Sequence, residues 1–232
     1  MGRSISFAPE EYYHIYNRGV DKRCIFMSPQ DNERFLTLLY LCNSNEPVKF
    51  HKHLDRGMPL VEMFSFNHDE RLVDIGAYCL MPNHFHILVR SRDNEGISDF
   101  MQKILTAYTM YFNKKYERSG ALFSGSFKAR HVDSDRYLRH LFSYIHANPF
   151  GLLYPLKQNK LDIDMLRVKA HLKCFPFSSF ADYVGNSNRH QAPILNKEAF
   201  PDYFSTNVDI DEHLNDFFAM KDLAPDTLGL SG

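Results

Sequence analysis

The sequence predicts an α+β fold: a ferredoxin-like (split βαβ) antiparallel sheet with helices on one face, plus a C-terminal extension. Three observations predict it. β-rich runs alternate with segments of helical period in the order strand, helix, strand, strand, helix, strand. The two central runs are separated only by Pro82-Asn83, a link so short that they must be antiparallel neighbours. Beyond Gly151 the periodicity fades and the chain turns acidic, which marks residues 151–232 as an extension packed on a core domain of residues 1–150.

Taken in order, Tyr12 to Tyr16 alternates aromatic and polar positions and stops at Asn17-Arg18-Gly19, a strand ending in a turn. Ser28-Pro29 opens a helix whose apolar face is Phe35, Leu36, Leu38, Leu39 and Leu41, with proline in the first turn, where its missing N–H costs nothing. Residues 43–71 hold Pro47, Gly57 and Pro59 without a period and read as an insertion, with Val61 to Phe66 a candidate short strand. Leu72 to Met81 and Phe85 to Arg90 are the paired strands. A helix from Ile97 to about Tyr116 carries Phe100, Ile104, Ala107, Tyr108 and Tyr111 at helical spacing. After Gly120 and Gly125, Phe127 to Val132 supplies the last strand. Asp133-Ser134 then caps a helix bearing Tyr137, Leu138, Leu141, Phe142 and Ile145, which must end near Asn148-Pro149.

With 44% hydrophobic residues in 232, the chain can bury a core, and global disorder is excluded. The 20 Phe and 13 Tyr fit a core and also base-stacking surfaces. Net charge is −1, but its distribution is what would steer a polyanion. Residues 101–140 carry eight basic and three acidic side chains, a net of +5, whereas 201–226 carry seven acids and Lys221, a net of −6. Cys24, Cys42, Cys79 and Cys174 form no close pair and read as reduced thiols. No run approaches the roughly 20 apolar residues of a membrane span, and the N-terminus lacks a secretory apolar region, so a cytoplasmic protein is expected.

Two constellations carry chemistry. His84-Phe85-His86 opens a strand, where positions i and i+2 share a face about 7 Å apart. Two imidazoles so placed can converge on one cation, although among 12 histidines such a pair is by default structural. Its context raises the odds, since Pro82-Asn83 sets the turn and Phe85, Ile87 and Val89 give the other face to the core. Tyr144 and Asn148 lie one turn apart on the last core helix, and by themselves are a core tyrosine beside a C-cap asparagine. A phenol with pKa near 10 is a poor nucleophile at neutral pH without a metal or base.

Four segments together make the sequence resemble the HUH single-tyrosine transposases of the insertion-sequence type, and among them the transposases associated with repetitive extragenic palindromes. They are Tyr13-His14-Ile15-Tyr16-Asn17-Arg18-Gly19 running on to Phe26, Tyr78 through Met81-Pro82-Asn83-His84-Phe85-His86 to Val89, Gly120 through Phe127, and Tyr137 through Tyr144-Ile145-His146-Ala147-Asn148-Pro149. The chain departs from the family pattern in the length of 43–71, in Phe123 and Phe177 where tryptophan is usual, and in the acidic tail.

The resemblance implies that residues 1–150 are the catalytic domain, with His84, His86 and Asn148 as metal ligands and Tyr144 as nucleophile. It implies a metal-dependent single-strand DNA endonuclease and strand transferase acting on hairpin DNA through a 5′-phosphotyrosine. The donor set suits Mg²⁺ or Mn²⁺. His140, one turn before Tyr144, is a candidate orienting group or base, while His14 and His131 compete for such roles and His146 reads as structural. Arg18, Arg23, Lys114, Lys115, Lys128, Arg130 and Arg136 are the candidates for DNA phosphate contact. The other classes compatible with the sequence are a non-catalytic single-stranded nucleic-acid-binding module and a metal-dependent phosphodiesterase that uses water.

Overall fold

The computed structural model describes residues 6–45, 59–65, 70–153, 164–185, 188–203, 212 and 214–215. Strands β1 (Tyr12–Arg18), β2 (Val73–Met81), β3 (His84–Ser91) and β4 (Lys128–Val132) form one sheet in the order β2-β3-β1-β4, every pairing antiparallel. With helix α1 (Pro29–Leu41) between β1 and β2 and α2 (Gly96–Lys115) between β3 and β4, this is the split βαβ connectivity that the sequence predicts.

The two faces of the sheet have different covers. Tyr13, Ile15, Phe85, Ile87 and Val89 point into a core with Phe35, Leu39, Phe100, Ile104 and Tyr108 of α1 and α2, the arrangement expected. Helix α3 (Asp135–Ala147) lies against the opposite face, where Leu138, Leu141, Phe142 and Ile145 meet Ala77, Cys79, Met81 and Leu88. The expectation of helices on one face therefore holds for α1 and α2 and not for α3. The physical reason is β2: all nine of its residues are buried, so it needs apolar partners on both sides.

Asp31 ties the two helices of the first face together. Its buried carboxylate accepts from the backbone N–H of Met27 and Ser28 at the start of α1, and from Tyr111, Lys115 and Tyr116 at the end of α2. These bonds, Lys115 foremost, hold the Asp31 carboxyl below its usual range against the opposing effect of burial. A residue expected at the DNA surface thus has a structural task.

The exposed edge of β2 is covered by the C-terminal extension. Leu80 N–H donates to the carbonyl of Phe177 at 2.9 Å, Ser179 N–H to Tyr78 at 3.0 Å and Asn196 N–H to Ile75 at 2.9 Å. At the bulge between Ile75 and Ala77 sits Gly76, where a Cβ would come within 2.7 Å of the Phe200 ring, so only glycine fits there. Phe180, Phe200 and Tyr203 continue the α3-side core.

Val61 to Phe66 is not the short strand expected. Leu60–Ser65 is a 3-10 turn that buries Met63 and Phe64 against the end of α1, an apolar pair too close in sequence to share a strand face. The rest of the anticipated insertion (46–58 and 66–69) and most of the acidic stretch 201–226 lie outside the described residues. No helix of the described residues is long and apolar enough to cross a membrane.

Candidate active site

The site grows from the turn between β2 and β3. The loop after β1 folds back on it: Gly19 N–H donates to the carbonyl of Asn83 at 2.8 Å, and Ile25 N–H to that of Pro82 at 2.8 Å. Reaching back takes two consecutive left-handed residues, Asp21 at φ 55° and Lys22 at φ 58°. It also takes a glycine at 19, where a Cβ would lie 2.3 Å from the Arg23 carbonyl. The carbonyl of Lys22 then accepts from Asn83 Nδ2 at 3.3 Å. With its nitrogen so used, Asn83 turns its oxygen to His84, and Oδ1 lies 2.7 Å from His84 Nδ1. An amide oxygen only accepts, so His84 carries its proton on Nδ1 and its Nε2 holds a free lone pair.

His84 and His86 lie on the face that α3 covers, their ring centroids 5.1 Å apart and nearly perpendicular. Pairing with β1 puts His86 opposite Tyr16 and Arg18 opposite His84. The fully buried His14 also reaches this face and sets its Nε2 2.8 Å from His86 Nδ1. Burial holds His84 and His86 below the ordinary imidazole pKa, with smaller effects from Asn148 and Arg18 on His84 and from His14 and His84 on His86. Both rings are thus neutral at pH 7. The Nε2 atoms of both are buried and have no hydrogen-bond partner.

Tyr144, on α3, meets this pair edge-on, its ring centroid 5.3 Å from His86 and 6.1 Å from His14. Burial raises its phenol pKa, and the Asn148 side chain opposes the rise. Asn148 also acts on His84, in the direction that favours a charged imidazole, while its Nδ2 donates to the Tyr144 carbonyl at 3.1 Å. One amide therefore faces both the nucleophile candidate and a candidate ligand. Among the described residues no three His, Cys, Asp or Glu side chains are grouped so as to hold a metal ion by themselves. The donor set on offer is two imidazoles and an amide oxygen. Two orphaned buried lone pairs, each costing about 1–3 kcal/mol unless satisfied, fit a divalent cation.

The other histidines separate cleanly. His140 is half-buried one turn before Tyr144, with burial and then Arg136 lowering its pKa. His146 is sealed against the extension, its Nε2 2.8 Å from Ser179 Oγ, and burial pushes it down to about 3. His131 pairs with Glu11 on the surface at 2.7 Å.

The candidate phosphate contacts divide between the two faces. β4 pairing sets Lys128 opposite Tyr16 and Arg130 opposite His14, on the site face, and Arg130 stacks over the Tyr137 ring at 5.0 Å. Arg18 neighbours His84, Arg23 is exposed in the loop that braces Asn83, and Arg136 acts on His140. Lys114 and Lys115 lie on α2 behind the sheet, and Lys115 is bound to Asp31. Sequence reasoning missed Asn83 as the partner of His84 and the presence of Tyr16 beside His86. The alternation of Tyr12, His14 and Tyr16 was the available signal, since it puts all three on one face.

A solved structure of a REP-associated tyrosine transposase bound to a REP hairpin is similar to this chain at 15% identity, covering 82% of this chain and 87% of that one with a TM-score of 0.47. No curated protein matches the chain. A sequence model of the family described as IS200-like transposases matches residues 38–148, the span that holds His84, His86, Tyr144 and Asn148.

Proposed function

We propose that this chain is a metal-dependent single-strand DNA endonuclease and strand transferase that acts on hairpin DNA, with Tyr144 as nucleophile and residues 1–150 as its catalytic domain. The match of residues 38–148 to the IS200-like transposase family model supports a DNA transposase activity. The observation that carries the finer reading is the pair of unpartnered, buried Nε2 atoms on His84 and His86, with the His86 ring 5.3 Å from the Tyr144 ring. His84, His86 and the Asn148 oxygen would hold Mg²⁺ or Mn²⁺. When bound, the cation supplies charge stabilisation at the scissile phosphate and favours the phenolate.

The chain's own groups do the rest. Tyr144 Oη attacks phosphorus, the O–P bond forms as the P–O3′ bond breaks, and the phenolic proton ends on the departing 3′ oxygen. The products are a 5′-phosphotyrosine and a free 3′-OH. Because the link retains the phosphodiester energy, attack by another 3′-OH rejoins DNA without a nucleotide cofactor. Asn148 orients Tyr144 against His84, and Arg18, Lys128 and Arg130 line the same face for the strand's phosphates. His140, one turn before Tyr144 on the same helix, would help orient the phenol.

Incubating the protein with hairpin-bearing single-stranded DNA and Mn²⁺, then separating products under denaturing conditions, tests this reading. A covalent species that retains a label on the 3′ side of the cut is expected, together with a released 3′-OH fragment. Cleavage that leaves only free DNA ends would assign the reaction to water instead.

A further inference from the structure

His14 lies across from Leu88 on the strand beside β3, has no exposed surface, and brings its Nε2 within 2.8 Å of His86 Nδ1. Only one proton fits between two ring nitrogens at that distance, so the neutral pair has two arrangements. In the first, His86 Nδ1–H donates to His14 Nε2, and His86 Nε2 bears a lone pair. In the second, His14 Nε2–H donates to His86 Nδ1, and the proton of His86 sits on Nε2 and closes that atom to any cation. The Nε2 of His86 is the buried atom beside Tyr144 without a partner, so a site that uses it requires the first arrangement.

We infer that His14 is a positioning residue that holds His86 in its Nδ1-protonated tautomer and thereby keeps Nε2 open to a divalent cation. The inference rests on the metal reading of the site. His14 is not itself a ligand in this arrangement, because its Nε2 accepts from His86 and its Nδ1 then carries the ring's proton. Its ring stacks on His86 at 5.0 Å with 24° between planes, and Tyr16 packs on it at 4.9 Å, so neither imidazole is free to turn. His84 reaches the same state through a different partner, since Asn83 takes its Nδ1 proton. Two unrelated acceptors thus leave both neighbouring Nε2 atoms as lone pairs.

His14→Phe keeps an aromatic ring and removes the acceptor, whereas His14→Gln returns an amide oxygen of similar reach. Binding of Mn²⁺ alone to the full chain is read by calorimetry, and the His86 tautomer by ¹⁵N NMR of the metal-free protein. His14→Phe is expected to weaken Mn²⁺ binding by about 10- to 100-fold, and His14→Gln to recover most of it. Wild type is expected to show the proton of His86 on Nδ1. Wild-type Mn²⁺ affinity in His14→Phe, or a proton on His86 Nε2 in the wild type, overturns the role of His14. A wild-type chain that binds Mn²⁺ no better than His84→Ala would instead remove the metal reading, and this inference with it. Should His14→Phe fail to fold, the wild-type tautomer still decides.

Discussion

His86 has no exposed surface and an unpartnered Nε2, a combination that folding alone would select against, since a buried lone pair left unmet costs about 1–3 kcal/mol. Replacing both histidines by alanine removes that cost while opening a small void, so the double variant His84→Ala/His86→Ala is expected to stay folded. Cleavage should fall by roughly 100-fold or more as the source of charge stabilisation is lost. Circular dichroism and Mn²⁺ titration check the two halves separately. A folded variant that cleaves at the wild-type rate would show that the pair serves packing. Asn83 and His14 extend the same logic outward, since each accepts or shares one ring proton and so decides which nitrogen is offered.

Ser179 shows how the extension secures the helix that carries Tyr144. Its hydroxyl accepts from Tyr78 N–H at 2.9 Å on the edge of β2 and lies 2.8 Å from His146 on α3. Ser179→Ala strands two buried polar groups, so an unfolding free energy lower by about 2–4 kcal/mol is expected in urea melts. A loss below about half a kcal/mol, within the range of an ordinary surface substitution, would mean that the extension merely lies on the core. Much of the architecture was legible in the sequence. The period of two in Tyr12 to Tyr16, the Pro82-Asn83 link and the Ser134 cap each specify local backbone, and each matches the observed β1, the β2–β3 turn and the start of α3. The side of the sheet chosen by α3 was less plain, because the continuous apolar run of β2 signals burial on both faces without saying what covers each. The pairing of His14 with His86 was hidden for another reason. It depends on the register between strands 72 positions apart, which no local pattern encodes. Lys115 misled because a basic residue near a helix end reads the same whether it faces phosphate or a buried Asp31.

Across the whole molecule the sheet sorts charge by face. Arg18, Lys128 and Arg130 share the side of His84 and Tyr144, whereas Lys114 and Lys115 stand behind it on α2. Lys128→Ala/Arg130→Ala should weaken single-stranded DNA binding and lower the salt slope by about 0.7 for each phosphate that is no longer neutralised. Lys114→Ala should leave both unchanged. Equal losses from the two faces, measured by fluorescence anisotropy across a salt series, would contradict a strand held on the site face. The proposed chemistry turns on one oxygen atom, and Tyr144→Phe removes it while keeping the ring against His86 and His14. With hairpin-bearing single-stranded DNA and Mn²⁺, this variant is expected to bind DNA still but to yield neither cut strand nor covalent protein–DNA species, because the phenyl ring has no oxygen to attack phosphorus. Cleavage by Tyr144→Phe at the wild-type rate would contradict a tyrosine nucleophile.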